Sequence, residues 1–255
     1  MNRLIGAAIA LGVSGIASAT SMSLTFDGFG AGVLCRISYQ SNQNFAAANR
    51  SGSTGTNIQA KEHRFTDVAT SRTYRNYCVQ IFESVSAGNT YTYNQVSIND
   101  VPDFPPGPGP MGALRGALMK NLYARFYNDV ADGTDNIKCS AFALLVWEIS
   151  HENLNGAGAT ATDVLNSGAI DVGLGAFQVT TTANLTGDRL AVYQQAMAWT
   201  AIMKAQSANL RSRGIYGLTN PTAQDHIGVV VPVPAPALLA GLGLVGVVSG
   251  RRRSR

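Results

Sequence analysis

One stretch near the middle of the chain constrains the fold more than any other: Cys139-Ser-Ala-Phe-Ala-Leu-Leu-Val-Trp-Glu-Ile-Ser-His-Glu152. It is uncharged from Cys139 to Trp147, holds neither Gly nor Pro, and shows no two-residue alternation. That pattern predicts a buried helix rather than a strand. A helix apolar on nearly every side must lie in the middle of a domain, covered by other elements. The chain of 255 residues is long enough to supply that cover within one sizeable domain, or two small ones sharing an interface.

Charged residues make up 13% of the chain, about half the usual share for a soluble domain. With many Gly, Ser, Thr and Asn, this composition suits a β-containing extracellular protein better than a cytosolic enzyme. The net charge of +4 misleads, because five of the 19 Lys+Arg are Arg3, Arg251, Arg252, Arg253 and Arg255 at the two ends. Taking those five from 19 leaves 14 against 15 Asp+Glu. A nucleic-acid binder needs its basic patch on the folded body, so that class is excluded.

Residues 1–19 read as a secretory signal peptide. Arg3 gives the positive start, Leu4 to Ile16 the apolar run, and Ala17-Ser18-Ala19 a small-x-small cleavage site before Thr20. The run is short for a membrane anchor. Residues 21–98 read as β-rich. Ser23-Leu-Thr-Phe-Asp27 alternates, Gly28, Gly30 and Gly32 are expected to break the chain, and Val33 to Tyr39 follows as a second run. Asn42 to Ala60 is polar and expected as an exposed loop, whereas Tyr77 to Ile81 and Thr90 to Tyr93 are strand-like around a turn at Ser86 to Asn89. Asp103 to Pro110, rich in proline, is a rigid connector and the clearest internal boundary.

Residues 111–212 read as helical. Leu114, Leu118, Leu122 and Phe126 make one stripe between Met111 and Val130. Leu190, Tyr193, Met197 and Ala201 are expected to share one face of a helix over Asp188 to Arg211. The expected fold class is therefore α+β: a β-sandwich or partial barrel packed on a small helical subdomain, with the signal peptide before it and a short transmembrane helix after it. The ectodomain spans residues 20–228 and the tail residues 231–255.

That tail has three parts: Val231-Pro-Val-Pro-Ala-Pro236, an uncharged segment over Ala237 to Gly250, and Arg251-Arg-Arg-Ser-Arg255. The apolar segment is short for a span of about 20 residues, and an Arg cluster stays on the cytoplasmic side. The arrangement resembles the PEP-CTERM sorting signal, with Pro232-Val233-Pro234 where Pro-Glu-Pro is usual. The resemblance implies an exosortase and the export machinery as partners, cleavage near Pro232 to Pro236, removal of Arg251, Arg252 and Arg253 with the tail, and delivery to the cell surface or an exopolysaccharide matrix. Membrane contact is then transient, through the C-terminal helix before processing.

Tyr77-Cys78, Asn89-Thr-Tyr-Thr-Tyr93 and Ala141-Phe-Ala-Leu-Leu-Val-Trp-Glu-Ile149 together resemble the thioester-domain proteins of bacterial surfaces, over roughly Tyr74 to Glu152 with looser similarity through Gln224-Asp225. In that family a strand Cys is joined to the side-chain carbonyl of a helix Gln, and the buried acyl group captures a nucleophile covalently. The resemblance places the Cys at Cys78 and the Gln at Ala143, four before Trp147. Alanine has no acyl group to donate, so the implied domain is a degenerate one. Cys139 lies one turn before Ala143, and a Cys78–Cys139 disulfide is the expected replacement in an oxidising compartment. Pairing of Cys35 with either, or three reduced thiols, stays open.

Other chemistry is weakly signalled. His151-Glu152 lacks the second His of a zinc-protease helix, and Asp129, Asp132, Gly133 and Asp135 lack the spacing of a calcium loop. His63, His151 and His226 have no evident nucleophile partner, and Glu148 and Glu152 lie at helical spacing four. Tyr74, Tyr77, Tyr91 and Tyr93 suit either a sugar-binding surface or cross-strand packing. No metal, cofactor or catalytic residue is expected. The functional expectation is a non-enzymatic, exosortase-sorted surface or matrix protein with a structural or adhesive role, an extracellular polysaccharide or surface ligand being the partner class. A covalent thioester adhesin and a secreted hydrolase are the alternatives.

Overall fold

The computed structural model describes residues 20–39, 56–103, 109–154, 156–179, 185–205 and 214–229. The expected signal peptide, most of the Pro-rich connector and the whole sorting tail lie outside the described residues. So do the residues named for sorting and cleavage: Ala17, Ala19, Pro232, Pro234, Arg251, Arg252 and Arg253.

The elements run β1 (Thr20–Tyr39), β2 (Thr56–Asp67), β3 (Thr73–Cys78), β4 (Thr90–Val96), α1 (Gly112–Phe126), α2 (Asn136–His151), α3 (Ala161–Ser167), β5 (Phe177–Val179), α4 (Gly187–Ala205), β6 (Ile215–Thr219) and β7 (His226–Val229). The class is mixed α+β, as expected. The strands form one antiparallel sheet in the order β2-β3-β7-β6-β4-β1-β5, and β1 also pairs with β2. That extra pairing joins six strands into a ring, leaving β5 on the far end of β1.

Three expectations need correction. The Gly28-x-Gly30-x-Gly32 run does not separate two strands: β1 is continuous through it. Register shifts against β2 fall between Phe26 and Gly28 and between Phe29 and Gly32, so the glycines bend one long strand through bulges. At Gly32, φ is +149° and an added Cβ would lie 2.4 Å from the Ala60 carbonyl oxygen. Second, residues 56–60 belong to β2 and not to an exposed loop. Third, the β-rich part does not end near residue 98, because β6 and β7 arrive after the helices and complete the ring between β3 and β4. The Pro-rich connector therefore does not separate a β half from a helical half.

Two cores result. Leu24, Phe26, Phe65, Tyr93, Tyr216 and Leu218, from four strands of the ring, make the smaller one. The larger lies between the sheet and the helices, and α2 is its axis, every residue from Cys139 to His151 being buried. Asp135 caps α2, its Oδ1 accepting from the backbone N–H groups of Ile137 and Lys138 at 3.0 Å each. On α1 the expected stripe faces inward, with Leu118, Leu122 and Phe126 buried and Leu114 partly so. On α4 it does not. The buried set is Val192, Ala196, Trp199 and Met203, while Ala201 is exposed. The alternative apolar stripe wins because it carries Trp199, which stacks on Phe126 with ring centroids 4.6 Å apart.

Replacing Gly32 with Ala is expected to cost about 2 kcal/mol or more, through backbone strain and the clash with Ala60. Gly28→Ala, where φ is +124° but no atom lies within 4 Å of the added Cβ, should cost less. Denaturant unfolding of the two variants checks the order.

Candidate functional site

The helix α2 docks on the sheet through one line of side chains. The Asn136 Oδ1 accepts from the Gly32 N–H at 2.9 Å. The Ser140 hydroxyl accepts from the Val33 N–H at 2.6 Å and donates to the Ala60 carbonyl at 2.7 Å. The Trp147 indole N–H donates to the Cys78 sulfur at 3.2 Å. The Ser150 hydroxyl lies 2.9 Å from the Val79 carbonyl. Positions 136, 140, 143, 147 and 150 step by four and three, which keeps them on one helix face. Ala143 occupies the middle of that line and alone has no hydrogen-bonding side-chain atom. The structure thus brings Cys78 to the α2 face that carries Ala143, one turn away at Trp147.

Cys78 ends β3, paired with His226 of β7, and beyond it the Val79 N–H still bonds the Asp225 carbonyl at 3.0 Å. Its thiol borders a cavity of about 210 Å3 whose other walls include Phe29, Gln59, His63, Trp147 and Gln224. The Gln224 amide N–H donates to the Gln80 carbonyl at 2.9 Å.

The expected Cys78–Cys139 disulfide is not formed; Cys35, Cys78 and Cys139 are all free and buried. The reason is axial offset. Cys78 meets α2 at Trp147, eight residues past Cys139, or about 12 Å along the helix, and a disulfide needs Cα atoms within about 7 Å. The neighbouring strand residue reaches the earlier part of α2: the Tyr77 ring lies 4.7 Å from that of Phe142 and its phenol is beside the Cys139 thiol.

Cys78 and His63 border one cavity, but not as an activated pair. Burial pushes the Cys78 thiol up to about 12, opposed by the Trp147 hydrogen bond, and pushes the His63 imidazole down to about 3. A nucleophilic thiolate needs the opposite shifts. His63 is instead engaged through Nδ1 with His226 Nε2 at 2.8 Å. Both rings are packed among Phe26, Phe65 and Tyr93. His226 is likewise pushed far down by burial and by its partner.

The remaining candidates have structural roles. Glu148 is fully buried, accepts from the Asp171 N–H at 2.8 Å, and is held well above the usual carboxyl range by burial and by Glu152. Glu152 accepts from the Ala176 and Phe177 N–H groups at 2.8 and 3.2 Å. An added Cβ at Gly175, where φ is +99°, would lie 2.3 Å from its Oε2. The two glutamates therefore tie the approach to β5 onto the end of α2. His151 Nδ1 bonds the Trp147 carbonyl at 3.0 Å, at the end of α2. Asp132 orders its own turn through the Thr134 N–H, and Asp135 is the α2 cap. Among the described residues no three His, Cys, Asp or Glu side chains gather into a metal cluster. Tyr77 and Tyr93 are core residues, and Tyr74 and Tyr91 pack on the smaller core, so the four tyrosines do not form one exposed surface.

The resemblance extends loosely through Gln224-Asp225 but gives neither residue a place beside Cys78, because the strand that follows them comes after the helices and is short. Asp225 is buried, accepts from the Asn220 and Asp103 N–H groups at 2.8 and 2.7 Å, and is raised by burial.

These buried groups set a pH dependence of stability. The two histidines ordinarily titrate at 6.5, so their contribution is complete above that pH and is lost as pH falls below it, towards about 3 for His63. Glu148 and Asp225, ordinarily at 4.5 and 3.8, contribute fully below those values and lose stability as pH rises through neutral. Unfolding free energy should therefore peak at mildly acid pH, and Asp225→Asn should flatten the limb above the peak. Denaturant titrations across pH check this; a steady rise to alkaline pH would contradict it.

No family model, curated protein or solved structure matches this chain.

Proposed function

We propose that this is an exported protein sorted by an exosortase to the cell surface or extracellular matrix, where it serves without catalysis as a structural or adhesive module. The observation that carries the reading is the tail: paired prolines at Pro232 and Pro234, an apolar segment over 237–250 and the block Arg251, Arg252 and Arg253, joined to a signal-like start ending Ala17-Ser18-Ala19. Among the described residues no helix is long and apolar enough to cross a membrane, so membrane contact in this reading is confined to the two terminal segments.

A body resembling a degenerate thioester domain fits the same compartment. The Cys78 thiol is set against α2 at Trp147, and Ala143 is one turn away on the same face where the resemblance would require an acyl donor. Three buried thiols are compatible with an oxidising environment when burial keeps them protonated and out of reach; Cys35 and Cys139 are pushed up to about 12 and about 11.

One observation favours the covalent-adhesin alternative: Gln224, which carries a carboxamide, lines the same cavity as Cys78. A thioester there would form by loss of ammonia between the Cys78 thiol and that amide. The intact mass of the secreted protein separates the readings. Three free thiols, unchanged by methylamine or reductant, are expected; a deficit of one ammonia, which methylamine converts to a gain of one CH2 by forming the N-methyl amide, would establish the covalent alternative.

Sorting is tested in the producing cell. The full chain should appear outside lacking both terminal segments, and replacing Arg251, Arg252 and Arg253 with Ala should reduce the processed extracellular form several-fold. Unprocessed full-length protein in the cytoplasm would refute the reading.

A further inference from the structure

A second cavity, of about 360 Å3, lies away from Cys78 and is bordered by Thr73, Tyr74, Arg75, Asn76, Tyr127 and Val229. It occupies a seam in the ring. Thr73 to Asn76 are paired with β2, and β7 is paired with β6 out to Val229, but the β3–β7 ladder spans only Tyr77–Ile227 and Cys78–His226. Beyond that ladder the two strands enclose a space, with the Tyr127 ring from the turn after α1 at its edge.

Asn76 makes the seam unusual. It is 1% exposed, yet neither its Nδ2 nor its Oδ1 has a hydrogen-bond partner. A buried amide left unpaired on both atoms is costly and rare in a folded protein, and here it borders a cavity that can supply what it lacks. The partner must donate and accept on adjacent atoms. It must also be close to neutral, since among the described residues the charged group in the wall is Arg75, which is already bonded to Glu62 at 3.3 Å and to the Asp132 carbonyl. Tyr74, Tyr127 and Val229 add half-buried apolar surface.

We infer that the seam is a binding site for a neutral sugar ring, with vicinal hydroxyls on the Asn76 amide and the C–H face against Tyr74 and Tyr127. Each hydroxyl both donates and accepts, which matches the two ends of a carboxamide, and tyrosine offers an apolar face with a polar edge. The volume is at the lower end of the roughly 300–1,000 Å3 of small-molecule sites, which suits one residue of a polysaccharide rather than an extended peptide. The choice of a matrix glycan as the natural source rests on the proposed localisation; the site itself rests only on the seam.

The test uses the purified full chain and a panel of neutral methyl pyranosides and their oligomers, followed by ligand-observed NMR and calorimetry. The wild-type chain is expected to bind at least one, with Kd on the order of 1 mM for a single ring. Asn76→Leu, close in size and without polar atoms, should weaken binding about tenfold or more while melting no lower than wild type, because the amide it removes is unpaired. If Asn76→Leu does not fold, Tyr127→Leu carries the test with the same expected loss. The inference is overturned if no sugar binds, if binding ignores the variant tested, or if a neutral unstructured peptide displaces the sugar. None of these results bears on sorting, which is read from the tail variants alone.

Discussion

The docking of α2 onto the sheet is the contact on which the rest of the molecule depends. The helix is apolar on all sides, so packing alone would leave its rotation and axial position weakly specified. Four polar side chains on one line remove that freedom: Asn136, Ser140, Trp147 and Ser150 each bond a defined atom of β1, β2 or the end of β3. Two of these bonds, at Gly32 and Val33, lie where β1 bulges against β2 and frees backbone groups from the ladder. The bend of β1 and the placement of α2 are thus one feature, because the glycines that allow the first expose the donors used by the second.

A low charge content has a second consequence in the interior. The buried Glu62 is matched by Arg64 at 2.9 Å and Arg75 at 3.3 Å. Glu148, Asp225, His63 and His226 lack such partners, and burial favours their neutral forms. The hydrogen bond between the paired histidines needs one ring nitrogen left to accept, so the two rings cannot both be charged. The interior is therefore polar in its hydrogen bonds and nearly uncharged, which fits the composition of the chain as a whole.

What the sequence made legible was the part governed by local pattern. The α2 helix followed from an uninterrupted apolar run, and the α1 stripe from spacing four. Where two apolar stripes compete, as on α4, spacing cannot choose, and the stacking of Trp199 on Phe126 decides. Gly28, Gly30 and Gly32 carry the same local signal whether a strand ends or bulges; the difference lies in the partner strand. β6 and β7 are too short to stand out, and they join strands separated from them by more than a hundred residues. The site suffered most from this, since Gln224, Asp225 and His226 reach Cys78 only through β7.

The Cys78–Cys139 expectation failed for a reason that bears on the chemistry of the whole site. Sharing a helix face with position 143 does not bring Cys139 within reach of Cys78, because a face alone leaves the axial level along α2 open. Tyr77 meets the turn of Cys139 and Phe142, and Cys78 meets Trp147. The sulfur is left accepting an indole N–H, in a place where burial raises its pKa and where the nearest helix turn offers only the methyl of Ala143. A thiol so placed packs as a small apolar group. Its value to the fold is the hydrogen bond that fixes Trp147, and through Trp147 the axial position of α2. Reactivity would require either an acyl donor on the docking line or a cation near the sulfur, and the line is already committed to holding the helix in place.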